Sequence, residues 1–389
     1  MKRAFPVLTL SGTPYEMGFK HGRLARSLVT HNIRLYFERF EKEWDLTSED
    51  LIYQASKYLT VIAETSQEYL AQLEGLRDGS GVDLLSLVAL NVRYEIGYSR
   101  YVEKFMAGGV KGEAGRQKGI GECTSFALLP EVTVENALIM GKNWDWISGV
   151  AVLLLKIERP DGLKVLGLTE AGIVGAKMGL NTAGLGMVIN GLVSDKDRWD
   201  RLGKPFHVHC WEILGARELK EAADILKEDK RSCSANYLIG KDSGSGEGEV
   251  LDVEAAPEAL LELRPEGGFL VHSNHFVKPE ALNIREPMAK EDLHTYDRYG
   301  RLQDLLNLPL SEGRKVSVAY LKKILQDHKN YPYSLCYHED RFAGASSDYQ
   351  TVISVIMNLH ERRLWTTYGP PCENLFHHFR LQKSPSGFI

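Results

Sequence analysis

Cysteine is scarce: the 389 residues hold five, Cys123, Cys210, Cys233, Cys336 and Cys372. No two form a C-x-x-C pair, which leaves no basis for a zinc ribbon or a thioredoxin-type motif. So few, so scattered, in a chain of this length argue against a disulfide framework and for a reducing compartment, so a cytoplasmic location is expected. Long apolar runs are missing too. The longest, Val150 to Leu155, falls far short of the ~18–20 residues that span a bilayer, and no membrane partner is expected. Lys2 and Arg3 are followed by an apolar stretch that Pro6 interrupts, and no signal peptide is read there. There is no Lys/Arg block, and 47 basic against 52 acidic side chains give a net charge of -5. That balance argues against nucleic acid as the main partner. With 43% hydrophobic and 25% charged residues, the composition is that of a globular protein long enough to bury a sizeable core.

The first hundred residues read as helical. Thr13-Pro14-Tyr15-Glu16 is a capping box with proline at the first helical position: the Thr hydroxyl accepts from the amide three residues on, and the Glu reaches back. Met17, Leu24, Leu28, Ile33, Leu35 and Phe40 then recur at helical spacing. A second start at Thr47-Ser48-Glu49-Asp50 leads Leu51, Tyr58, Ile62, Tyr69 and Leu73, and the glycines from Gly75 to Gly81 are read as its break. A third helix is expected over 82–96. Residues 101–122 carry six glycines between Gly108 and Gly121 and almost no large apolar side chain, which reads as a flexible exposed loop.

At Cys123 the pattern switches to short strands, expected at 123–129, 137–141, 150–158, 163–168, 172–180 and 184–190. Connections this short demand antiparallel pairing, because parallel strands need a crossover of a dozen or more residues. A helix is expected over 206–226, strands at 236–240, 249–254, 259–264 and 268–272, a helix over 316–328, a hairpin at 350–368 and a last strand at 375–381.

Five constellations carry candidate chemistry. Cys123 stands where the glycine-rich loop meets a strand. It reads either as a small core hydrophobe or as a nucleophile exposed by cutting the Glu122–Cys123 bond. In the second case one residue carries both a thiol and a free amine, and an α-amine with a pKa of about 7.7–8.0 can act as a base near neutrality. Lys142-Asn143-Trp144-Asp145-Trp146 follows a strand; it is rim packing, or a carboxylate orienting the amine between indoles of an apolar pocket. The Gly179–Gly186 stretch is a hairpin that ends in Asn190, a possible hydrogen-bond donor, and it lacks the Lys-Ser/Thr of a P-loop. Val271-His272-Ser273-Asn274-His275 offers Asn274 as an oxyanion donor or merely a turn. His207, His209 and His272 keep a metal-dependent hydrolase open as an alternative. Asn330–His338 is an aromatic-rich loop that packs or lines a channel.

GTPYEMGFKHG, LNVRYEIGY, ECTSFALL, KNWDW, TEAGIVGAKMGLNTAGLGMVINGL, VHSNH and NYPYSLC occur in one order from about Gly12 to about Leu381. Together they resemble the isopenicillin N acyltransferase family of N-terminal nucleophile hydrolases, and more distantly the choloylglycine hydrolases and acid ceramidases. The resemblance implies an α+β fold, a four-layer αββα sandwich of antiparallel sheets, and an autocatalytic cut between Glu122 and Cys123. That cut divides one folded unit into a mostly helical segment 1–122 and a catalytic segment 123–389. It implies Cys123 as nucleophile, Asp145 in the N-W-D motif, and Asn274 with Asn190 as oxyanion donors. Two departures stand out. The family commonly has Gly where this chain has Glu122, and Arg where this chain has Tyr337, so a penicillin substrate is not implied. The expected activity is acyl cleavage or transfer from a linear amide through a thioester, with Trp144, Trp146 and Tyr337 lining the substrate. No cofactor and no metal are expected. The partner is a small acyl amide, with an acyl-CoA or an amine acceptor left open, and a non-catalytic, uncleaved homologue that binds a small ligand remains an alternative.

Overall fold

The computed structural model describes residues 5–107, 122–228, 230–244, 246–287, 294–339 and 348–382. The glycine-rich loop expected over 101–122 falls largely outside them. A short strand, β1 (Val7–Ser11), precedes six helices: α1 (Pro14–Leu24), α2 (Arg26–Trp44), α3 (Ser48–Thr65), α4 (Gln67–Ser80), α5 (Leu84–Asn91) and α6 (Arg93–Met106). Both capping boxes form, with the Thr13 and Thr47 hydroxyls accepting from the amides of Glu16 and Asp50. The expected break at Gly75 does not occur. Gly75 and Gly79 lie inside α4, which ends only at Gly81, where a φ of 74° suits a residue without a Cβ.

The strands follow as β2 (Glu122–Leu128), β3 (Ile139–Ile147), β4 (Val152–Glu158), β5 (Lys164–Glu170), β6 (Met178–Asn181) and β7 (Leu185–Gly191). The helix expected over 206–226 is two, α7 (Phe206–Gly215) and α8 (Leu219–Glu228). Next come β8 (Ala235–Asp242), β9 (Gly248–Ala256), β10 (Ala259–Leu263), β11 (Phe269–His272), α9 (His294–Ser311), α10 (Val318–Ile324), β12 (Tyr349–Asn358), β13 (Arg363–Thr366) and β14 (His377–Arg380). The strand expected over 172–180 shrinks to β6, because residues 172–177 form turns. Neither β1 nor α9 was expected from the sequence.

Among the described residues the strands form two sheets. One has eight, in the order β1-β4-β5-β6-β7-β8-β9-β10; the other has six, β11-β2-β3-β12-β13-β14. Pairing is antiparallel except between β1 and β4, which run parallel. The exception has a simple cause: six helices separate β1 from its partner, ample chain for a crossover.

Alternation along β2 shows how the layers stack. Cys123 and Ala127 join Met140, Trp144, Met187 and Leu238 in the core between the sheets. Phe126 and Leu128 point the other way and pack with Ile139, Ile356, Leu302 of α9 and Leu321 of α10. Helices α7 and α8 cover the outer face of the eight-stranded sheet. The result is an α+β fold with the layer order αββα.

Candidate active site

Strand β2 begins one residue before Cys123, so the sheet ladder itself fixes this residue. Cys123 lies opposite Trp144, Glu122 opposite Asp145 and Ser125 opposite Lys142 on β3. Cys123 is 3% exposed, yet each of its polar atoms has a side-chain partner. Its backbone N–H donates to Asn274 Oδ1 at 2.5 Å. Its sulfur accepts from Lys142 Nζ at 3.1 Å. Its carbonyl accepts from Arg298 Nη1 at 2.7 Å.

Period two explains why Lys142 reaches the sulfur. Lys142, Trp144 and Cys123 share the inner face of the six-stranded sheet, and Lys142 is diagonal to Cys123 in the register. Its ammonium also donates to the Ile189 carbonyl on β7, so it ties one sheet to the other at the nucleophile candidate. Arg298 comes from the opposite side. It lies on α9, is 1% exposed, and also donates to Thr124 Oγ1 at 2.8 Å and to Asn274 Oδ1 at 3.2 Å.

Asn274, expected as an oxyanion donor, lies beside the Cys123 nitrogen. Its Nδ2 donates to the Gly191 carbonyl at 3.0 Å while its Oδ1 accepts from Cys123 and Arg298. Two donors on one side and a carbonyl on the other fix the amide orientation. In this arrangement Asn274 Oδ1 accepts from the Cys123 nitrogen and its Nδ2 is held by the Gly191 carbonyl. Asn190 accepts from Ser125 Oγ at 2.7 Å through Oδ1, and its buried Nδ2 has no hydrogen-bond partner among the described residues. A buried amide donor left over beside the Cys123 strand is the kind of group that needs a ligand to complete it.

Asp145 accepts from Thr351 Oγ1 at 2.5 Å. Thr351 in turn accepts from the Tyr337 amide at 2.9 Å, so the 330–338 loop is coupled to the strand opposite Glu122. The two indoles are enclosed by protein: the Lys177 ammonium sits 3.2 Å from the Trp144 ring centre, and Trp146 donates to Tyr36 Oη at 2.6 Å. Tyr337 is 7% exposed.

The metal alternative fails geometrically. His207 Nδ1 is bonded to the Asn91 carbonyl at 2.7 Å, and His209, also on α7, packs edge-on to Tyr237. His272 sits on β11 with Nε2 3.0 Å from Glu254 Oε1. Burial opposes its charge, but Asp252 and Glu254 outweigh that and raise His272 to about 9. Among the described residues His207, His209 and His272 do not gather around one point.

Lys142 and Arg298 were not singled out from the sequence. Lys142 opens the KNWDW motif, where the Asp and Trp neighbours carry the more legible chemistry. Arg298 sits on a helix whose apolar pattern is weak and which contains Pro309.

The sequence profile described as "Acyl-coenzyme A:6-aminopenicillanic acid acyl-transferase" matches residues 132–373. The chain is 25% identical over 370 residues to the acyl-coenzyme A:6-aminopenicillanic-acid-acyltransferase 40 kDa form of Emericella nidulans, covering 94% of this chain and 92% of that one. It is 23% identical to an uncharacterized protein of Archaeoglobus fulgidus, covering 93% of this chain and 63% of that protein's length. Among solved structures it is similar to a mutant conjugated bile acid hydrolase from Clostridium perfringens, with a TM-score of 0.43, 12% identity and coverage of 69% of this chain and 99% of that one. A Caenorhabditis elegans N-acylethanolamine-hydrolyzing acid amidase ortholog gives a TM-score of 0.38 at 15% identity, covering 61% of this chain and 93% of that one. With the profile spanning well over half of its length, the chain belongs to the acyl-coenzyme A:6-aminopenicillanic acid acyl-transferase family.

Proposed function

We propose that this protein is a self-processing cysteine N-terminal nucleophile hydrolase that cleaves or transfers the acyl group of a linear amide. The observation that carries the reading is the triple hold on Cys123: nitrogen on Asn274, sulfur on Lys142, carbonyl on Arg298. A cysteine that only filled the core would not need an ammonium, a guanidinium and an amide buried around it, since burying charge without a partner is costly.

In processing, Cys123 Sγ attacks the Glu122 carbonyl carbon. The sulfur–carbon bond forms, the Glu122–Cys123 C–N bond breaks, and the thiol proton moves to the departing nitrogen. Water then hydrolyses the thioester, leaving residues 1–122 with a new carboxylate and residues 123–389 with a free amine on Cys123. In turnover that amine takes the thiol proton while Asn274 Oδ1 holds it in place. The Lys142 cation fixes the sulfur and stabilises it while it is charged. The thiolate attacks the substrate amide, Asn190 Nδ2 donates to the oxyanion, and the leaving amine takes a proton from the Cys123 ammonium. Asp145, opposite Glu122, steadies the strand at the cut. Water or an acceptor amine resolves the thioester. Acyl transfer to an amine is what the name of the Emericella nidulans relative describes, and an acyl-CoA donor fits the same chemistry.

Intact-mass measurement of the purified chain tests this. Two pieces, the larger beginning at Cys123, are expected for the wild type, and one full-length chain for Cys123→Ala. Lys142→Met is expected to lower kcat by roughly 10²–10³, the range for removing one preorganised electrostatic contact. An uncut Cys123→Ala protein that still consumes acyl amides at the wild-type rate sinks the reading.

A further inference from the structure

Away from the nucleophile, the 326–339 loop and the turn after β13 bring four metal-ligating side chains together. His328 Nε2 is 3.1 Å from His338 Nε2. His338 Nε2 is 3.4 Å from Cys336 Sγ and 3.3 Å from Cys372 Sγ. The two sulfurs are 3.5 Å apart, and all four ligand atoms lie within 4.8 Å of one another. Among the described residues no other group of three or more His, Cys, Asp or Glu side chains meets that condition.

We infer that His328, Cys336, His338 and Cys372 form a structural Zn²⁺ site. The distances argue for a tetrahedron. With Zn–S about 2.3 Å and Zn–N about 2.0–2.1 Å, the edges of a tetrahedral Cys₂His₂ site are about 3.4 Å between nitrogens, about 3.6 Å between N and S and about 3.8 Å between sulfurs. Four of the six separations, 3.1, 3.3, 3.4 and 3.5 Å, rank as those edges do and fall short of them by only a few tenths of an ångström, and the two from His328 to the sulfurs lie within 4.8 Å. Two thiols and two imidazoles are a donor set suited to a borderline-soft divalent cation, not to Mg²⁺ or Ca²⁺. Four protein ligands leave no open position, so the site is structural. Binding forms two Zn–S and two Zn–N bonds, and the two thiol protons leave to solvent.

The backbone carries ligand pairs in a favourable way. Cys336 and His338 flank Tyr337, whose amide is bonded to Thr351, so two ligands sit on either side of an anchored residue. The Cys336 amide is itself tied to the Asp327 carbonyl, next to the third ligand. Cys372 comes from the Pro370–Asn374 turn, closed by the Asn374 amide on the Pro370 carbonyl. The His338 Nδ1 faces the Glu373 carboxylate at 3.9 Å. The cation thus clasps the loop that carries Tyr337 to the turn beyond β13. The same loop accepts from Asn143 Nδ2 at Leu335, so the clasp lies behind the outer face of β3.

Metal analysis of the full-length protein, purified under reducing conditions without chelator, tests the inference. One zinc per chain is expected. Chelation followed by Co²⁺ should give the intense visible bands of tetrahedral cobalt together with thiolate-to-cobalt charge transfer. Cys336→Ser and Cys372→Ser should each abolish stoichiometric loading, whereas His377→Gln, an exposed histidine outside the group, should not. Should the cysteine variants fail to fold, the wild-type cobalt spectrum decides alone. A reduced wild-type chain that takes up neither Zn²⁺ nor Co²⁺ overturns the proposal. So does a cobalt spectrum without thiolate charge transfer, or a Cys336–Cys372 disulfide whose reduction restores no metal uptake.

Discussion

Glu95 is 1% exposed and only half satisfied. Its Oε1 accepts from the Phe206 amide at 2.6 Å, while Oε2 is buried without a partner among the described residues. Burial raises its carboxyl from 4.5 to about 7, against the opposing pull of the Phe206 amide, Cys233 and the Arg93 charge. The folded chain therefore keeps a proton between these two pH values that the unfolded chain has lost. Stability falls as pH rises through that window, and the deficit is complete above about pH 7. Glu95→Gln keeps the acceptor for Phe206 and removes the charge. Its melting temperature should exceed the wild type's at pH 8, and the gap should narrow towards pH 5; an equal gap at both pH values contradicts the argument. The same scale shows what a sequence can and cannot reveal. Cys123 and Asn274 were visible because each sits in a motif at a strand boundary. Lys142 and Arg298 were not, because a basic residue reads as solvated until the topology buries it beside a partner.

Helices α1 and α4 pack backbone to backbone. A Cβ added at Gly75 would lie 2.0 Å from the Tyr15 carbonyl oxygen, and one at Gly18 would lie 2.0 Å from that of Gln72. Gly22 and Gly79 repeat the arrangement one turn on, at 2.5 Å from Leu76 O and 2.2 Å from Phe19 O. Backbone atoms cannot swing aside as a side chain can, so any larger residue must push the helices apart. Gly75→Ala should therefore destabilise the protein by about 1–3 kcal/mol or more in urea denaturation. Gly300, inside α9 with nothing within 4 Å of an added Cβ, offers the contrast: Gly300→Ala should stabilise by about 0.5–1 kcal/mol. The glycine cluster misleads for a physical reason. Glycine lowers helix propensity, so a Gly75–Gly81 cluster looks like a stop, yet close helix contact outweighs propensity. Helices with strong caps were legible; α9 was missed, since neither its apolar spacing nor Pro309 announces a helix.

At the scale of the whole molecule, the antiparallel strand grammar and the motif order pointed to two sheets and one folded unit, but not to the side chains through which the amino-terminal helices and the sheets share a core. Met17, Val29, Tyr58 and Leu76 belong to the same apolar cluster as Leu154, Met187 and Leu238. Polar ties cross the Glu122–Cys123 boundary as well. Asn32 is bonded to Ala151 in both directions and to Ala171, and Asn91 Nδ2 donates to the Gly172 carbonyl at 2.8 Å. Arg93 and Lys177 both pair with Glu170, and all three side chains are at most 2% exposed. Separating residues 1–122 from residues 123–389 would expose that apolar cluster and strip partners from a buried charge network, where removing one partner typically costs about 3–5 kcal/mol. A cut before Cys123 therefore changes connectivity without creating two bodies. The processed pieces should coelute at the mass of the intact chain in size exclusion and part only in denaturant, and residues 123–389 produced alone should be unfolded or insoluble. If the larger piece elutes by itself after processing and stays active, the shared core is not what holds the site together.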